Sequence, residues 1–82
     1  MDFFIGQICM FPWSWVPRGW AKCDGALISI SENTALFSLI GTEFGGDGRQ
    51  TFALPNMPPI KTKDGGDVAY FINLLGMYPS RN

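Results

Sequence analysis

The chain has 82 residues, enough for one domain spanning 1–82 and no second one. Six basic against seven acidic residues give a net charge of −1 with no run of either sign, which excludes the basic face that a duplex nucleic-acid binder needs. The absence of His excludes Ser-His and Cys-His nucleophile pairs within the chain, and no apolar stretch approaches the roughly 20 residues of a membrane span.

What the composition favours is association. Apolar residues make up 46% of the chain and aromatics 15%, a supply that one small domain cannot hide. At this size folding buries only about 60–65% of the surface of the unfolded chain. Large apolar patches left outside usually mark interaction surfaces, so self-association is expected.

The chain opens with Met1-Asp2-Phe3-Phe4, with no basic region and no small-residue cleavage site behind it, so synthesis in the cytoplasm without a signal peptide is expected. Ile5–Phe11 reads as an N-terminal strand that stops at Pro12. Trp13-Ser14-Trp15-Val16 leads into Pro17-Arg18-Gly19, a turn. Trp20–Cys23 and Ala26–Ser29 flank Asp24-Gly25, and Asp-Gly between apolar runs predicts a β-hairpin with a type I′ turn.

A short helix is predicted over about residues 31–40. Ser29 and Glu32 have capping-box spacing, Ser31 is the other candidate cap, and Gly41 stands at the C-terminal stop. Ala35, Leu36, Leu39 and Ile40 share one face. Phe37 lies off that stripe and is expected to touch another element or another subunit. Thr42–Gln50 is a Gly-rich loop, Thr51–Leu54 a short strand closed by Pro55, and Asn56–Asp67 a second loop rich in Pro, Gly and charge. Val68–Leu75 is a C-terminal β-run without alternation, which predicts cover on both faces, by the core and by a neighbouring chain. The fold class expected is α+β, small and mostly β.

Few residues can carry chemistry. Cys9 and Cys23 are the only cysteines, with no Cys-x-x-Cys spacing. One disulfide or two buried thiols are both compatible with them, and two thiols are the simpler reading. A zinc site would have to be completed by carboxylates, so no metal and no cofactor is expected. Asp64-Gly65-Gly66-Asp67 lacks the ordered acidic spacing of a calcium loop. Glu43, Asp47 and Asp24 are the available carboxylates, but Asp24 and Asp47 stand where turn formers stand, so no enzyme is expected.

Two groups read as ligand-binding candidates. Gly45, Gly46, Asp47, Gly48 and Arg49 would let backbone amides converge on an anion with Arg49 beside them, or would form a tight turn held by an Asp47–Arg49 contact. Trp13 and Trp15, with Trp20, would offer indole faces to a sugar ring, or would simply be core and interface. For the subunit contact the candidates are Tyr70, Phe71, Ile72 and Leu74 on the C-terminal strand, with Tyr78 after it.

In order along the chain, several segments resemble the phage tail-collar domain, which also occurs in bacterial proteins described as microcystin-dependent. They are Gly6-Gln7-Ile8, Pro17-Arg18-Gly19-Trp20-Ala21-Lys22-Cys23-Asp24-Gly25, Leu27-Ile28-Ser29-Ile30 and Asn33 through Gly41. Phe44-Gly45-Gly46-Asp47-Gly48-Arg49 and Thr51-Phe52-Ala53-Leu54-Pro55 complete the set. The ending, Tyr70–Asn73 and Gly76 through Arg81 and Asn82, is similar to the close of short members of that family. Asn56-Met57-Pro58-Pro59 departs from it, standing where the family runs Asp-Leu-Arg-Gly-Arg.

The resemblance implies a structural and adhesive part of a phage tail, often a trimer, attached to other tail proteins or to a surface glycan of the host. The other reading weighed is a phage-encoded oligomeric sponge that holds a nucleotide or another anionic small molecule between subunits.

Overall fold

The computed structural model describes residues 3–80. Met1 and Asp2, the start read for a targeting signal, and Arg81 and Asn82, the end of the closing motif, lie outside the described residues. The elements in chain order are β1 (Ile8–Phe11), β2 (Trp20–Lys22), β3 (Leu27–Ser29), α1 (Thr34–Ile40), β4 (Thr51–Ala53), β5 (Ile60–Lys61) and β6 (Asp67–Asn73).

The apolar C-terminal run becomes the central strand. β6 pairs antiparallel with β1 on one edge, Cys9 opposite Phe71, and with β2 on the other, Lys22 opposite Phe71. β5 pairs with its beginning, Ile60 opposite Val68. A separate ribbon joins β3 to β4, Ile28 opposite Phe52.

Partners directly opposite share a face, so register sorts the sheet's side chains. Ala21, Tyr70 and Ile72 fall on one face. They meet Leu36 of the helix, Phe52 and Leu54 of the ribbon, and Cys23 in the main core. Cys9, Phe11, Trp20, Lys22, Ala69, Phe71 and Asn73 fall on the other face, which the chain covers with its own aromatics. Cover on both faces of β6 was expected. The second layer is supplied by Phe11 and Trp20 of the same chain.

The hairpin expected at Asp24-Gly25 does not form. β2 goes to β6 and β3 goes to β4, so the two predicted arms part instead of pairing. Only Gly25 has positive φ (81°), whereas a type I′ turn needs it at both central residues. The Asp24 carboxylate accepts from the Ala26 N–H (3.1 Å), and the Gly25 N–H donates to the Pro55 carbonyl (3.2 Å). Asp24 forms a turn, but one that hands the chain between two sheets.

The helix is shorter than expected at its start. Ser29 is committed to β3 and its hydroxyl lies 2.9 Å from that of Ser31, and neither serine caps the helix. Asn33 is the N-cap residue and its side chain donates back to the Ser29 carbonyl (3.0 Å). Gly41 ends the helix with φ of 56° and an N–H bonded to the Phe37 carbonyl. Phe37, off the main stripe, packs on Phe52 with ring centroids 5.3 Å apart. The loop predicted over 56–67 contains β5, a two-residue strand that the sequence reading missed.

Asn73 draws the two ends of the chain together. It is buried, its side-chain N–H donates to the Phe4 carbonyl (3.0 Å), and its carbonyl oxygen accepts from the Leu75 N–H (3.3 Å). A buried amide with both ends satisfied costs little and fixes geometry. Beside it Phe4 and Met77 form a parallel bridge.

Candidate functional site: an aromatic stack on the outer sheet face

Phe11, Trp13 and Trp15 recur at every second position, interrupted by Pro12 and Ser14. That spacing can bring all three rings to one side of an extended segment. They form a continuous stack. Phe11 lies on Trp13 with centroids 4.8 Å apart and planes 11° from parallel, and Trp13 lies on Trp15 at 4.9 Å and 6°.

The inner end is anchored. Phe11 tilts against Phe71 at 5.5 Å and meets the edge of Trp20 at 5.5 Å, and Trp20 meets Phe3 at 5.2 Å. Each well-oriented aromatic pair contributes about 0.5–1.5 kcal/mol beyond its buried area. The outer end is open, since Trp15 remains 61% exposed and Val16 beside it is exposed too. The stack thus runs from a fully buried Phe71 to an indole held in solvent.

Beside it, Trp13, Lys22, Pro59 and Asp67 border a groove of about 280 Å³. Asp67 pairs with Lys61 (3.4 Å) on the surface. The Trp13 indole N–H is sealed from solvent and has no partner among the described residues. A rigid aromatic end with ionic groups at hand suits a planar or ring-shaped partner, a pyranose or an apolar or proline side chain of another protein. The sequence reading singled out Trp13 and Trp15. It missed Phe11 as the base of the stack and Lys22 and Asp67 as the groove wall, although the every-second-residue aromatic spacing was visible.

The Gly-rich loop is closed by its own carboxylate. One Asp47 oxygen accepts from the backbone N–H groups of Arg49 (2.8 Å), Gln50 (2.9 Å) and Thr51 (3.0 Å). The N–H groups of Thr51, Arg49 and Gln50 hold this carboxyl at a pKa of about 2. Of the loop amides expected to converge on an anion, that of Arg49 is taken by Asp47, and those of Gly45 and Gly48 donate to the Thr42 and Thr51 carbonyls (3.1 and 3.0 Å). The contact to Arg49 is made by its backbone, while its side chain is exposed. Gly45, Gly46 and Gly48 all have positive φ, and a Cβ at Gly46 would stand 2.7 Å from the Thr51 carbonyl oxygen and against Phe52 Cα. Asp47 and the glycines build a turn whose Gly45, Gly48 and Arg49 N–H groups are bonded within it, which takes most of the amides that the sponge reading called on.

Of the residues expected at the subunit contact, Phe71 and Ile72 are corrected. They are 0% and 1% exposed within the single chain, because β6 is the central strand and both its faces are covered. Tyr70 and Leu74 are half-buried and pack against the main core. Tyr78 is exposed, with its hydroxyl 2.6 Å from that of Ser38. The apolar surplus sits elsewhere on the surface, at Phe4, Ile8, Met10, Trp15, Leu27, Phe44, Leu75 and Met77.

Both cysteines are free thiols. Burial pushes the Cys23 thiol up to about 11, and the negative charge of Asp24 adds to the shift. Glu43 is exposed, and the Asp47 carboxyl is held below the usual carboxylate range, the opposite of what a general acid needs. No cluster of three metal-ligating side chains occurs among the described residues, and no described helix is long and apolar enough to cross a membrane.

The profile of the phage tail collar domain matches residues 6–59, about two thirds of the chain, and the chain belongs to this family. The match takes in β1 through β4, the stack and the Gly-rich loop, and ends at Pro59, just before β5 and β6. No curated protein matches the chain. The family places it among structural modules of phage tails.

Proposed function

We propose that this chain is a non-enzymatic, tail-associated binding module that assembles with copies of itself, a trimer on the family resemblance, and attaches to other tail proteins or to a host-surface glycan. The observation that carries the attachment is the Phe11–Trp13–Trp15 stack, whose outer indole is held in solvent by a buried base. An isolated exposed Trp needs no explanation, but one rigidly buttressed by two parallel rings is pre-organised for contact. Self-assembly is supported by the apolar side chains that the fold leaves outside. Catalysis has no support in the chain's carboxylates or thiols, and the virion tail is the location that the family favours.

The test is twofold. Mass spectrometry of purified particles should find the chain in the tail, and labelled protein should bind host cells or glycans, or virion partners, in a manner lost in Trp15→Ala. A protein absent from particles, with Trp15→Ala binding as the parent does, would reject the proposal.

A further inference from the structure

β1 is an edge strand. β6 covers one side of it, and among the described residues no strand covers the other. The ladder decides which backbone groups face outward. The Asn73 N–H donates to the Gln7 carbonyl (2.9 Å), which makes Gln7–Asn73 a bonded position. Bonded and non-bonded positions alternate in antiparallel pairs. Cys9–Phe71 and Phe11–Ala69 are therefore bonded, and the N–H and C=O groups of Ile8 and Met10 point away from β6. The other edge of β6 agrees, since the Cys23 N–H donates to the Tyr70 carbonyl (3.0 Å) and the Leu74 N–H to that of Gly19 (2.7 Å). Even-numbered residues of β6 serve β2 and odd-numbered ones serve β1.

The four outward groups of Ile8 and Met10 have no partner among the described residues. The two residues are 38% and 50% exposed, and β1 carries no charge to discourage pairing. The edge is also bounded. Before it, the Gly6 N–H and the Asn73 N–H place two residues opposite one, a bulge at Gly6 with φ of 87°. After it comes Pro12, which has no N–H.

We propose that this edge pairs with the same edge of a second copy, antiparallel about a two-fold axis at Cys9. In that register Ile8 lies opposite the second copy's Met10 and Met10 opposite its Ile8, so all four outward groups on each side are matched. Centring one residue earlier would set Met10 against the Gly6 bulge. Centring one residue later would set Ile8 against Pro12. The free groups are self-complementary only about Cys9, which is why a second copy is the occupant. The two Cys9 residues then meet at a non-bonded position, where Cα atoms lie about 4.5 Å apart, within the range of about 4.4–6.8 Å that a disulfide spans. The pairing rests on the self-association proposed above and makes the number of subunits even, as a pair or as two joined trimers.

The test is oxidation of the full native chain with diamide, followed by non-reducing electrophoresis and peptide mapping. A Cys9–Cys9 cross-linked dimer is expected, absent in Cys9→Ser. Met10→Pro should stay folded by circular dichroism, because the N–H it removes faces away from β6, and should lose the cross-link and the even-numbered assembly. If Met10→Pro unfolds, Met10→Lys replaces it, keeping the N–H and placing charge at the joint. An oligomer without the Cys9 cross-link, or one of three chains only, overturns the edge pairing while self-association stands. A monomeric parent overturns both.

Discussion

Trp15 lies face to face on Trp13, with centroids 4.9 Å apart and planes 6° from parallel, and is the open end of a stack whose base touches the fully buried Phe71. Removing the outer ring should therefore separate binding from folding. Trp15→Ala forfeits one aromatic pair, about 1 kcal/mol of stability. It should leave the circular dichroism spectrum unchanged while partner or glycan binding is lost, as read by cell adhesion or by titration.

Phe71 behaves as a core residue, not as a contact residue. Phe71→Ala should cost about 3–5 kcal/mol, a large part of the stability of a domain this small. Denaturant unfolding of the variant at several protein concentrations tests this. Loss of assembly with unchanged chain stability would return Phe71 to the interface.

Asn73 ties the Phe4 carbonyl to β6. Asn73→Ala should cost about 1–3 kcal/mol, because it strands a carbonyl and opens a void. Amide hydrogen exchange should quicken first at Ile5 and Met77, whose N–H groups bond across the same junction.

Asp47 predicts an acid limit. The unfolded chain takes up this proton near pH 4, whereas the folded chain resists it until about pH 2. The unfolded state thus binds more protons in between, and stability should fall as the pH drops through that window. Asp47→Ala should lower the Tm at neutral pH and flatten that acid limb, with Asp47→Asn intermediate. Melting curves from pH 2 to 7 decide it.

Cys23 should be inert. Its burial and raised pKa of about 11 keep it a thiol, so an aromatic disulfide reagent should label it only on unfolding. Stoichiometric labelling of Cys23 in the native protein would show that the core around Leu36, Phe52 and Ile72 is open.

Part of this fold was legible in the residues. The apolar run at 68–75, interrupted only by Asn73, announced a strand covered on both faces, and Gly41 announced the end of the helix. A run of that kind shows that cover exists without showing whose side chains provide it, which is why the sequence points to Phe71 and Ile72 as contact residues although the chain buries both itself. Asp24-Gly25 misled for a different reason. The same dipeptide serves a type I′ turn and an Asp side-chain turn, and the choice was made by distant partners, β6 for Trp20–Lys22 and Thr51–Ala53 for Leu27–Ser29. In the Gly-rich loop a tight turn was one of the two readings, and only the three-dimensional arrangement showed that the Asp47 carboxylate takes the backbone amides of Arg49, Gln50 and Thr51 and not the Arg49 side chain. β5 was invisible because two residues between Pro59 and Thr62 have no periodicity to read.

The central claim is that a tail collar chain with this much apolar surface works as an assembly. Native mass spectrometry of the purified protein tests it most directly. The expected spectrum shows one closed oligomer, an integer multiple of the 9.1 kDa chain. A clean monomer at concentrations well above micromolar would contradict the account, because Ile8, Met10, Leu75 and Met77 would then have no reason to stand exposed.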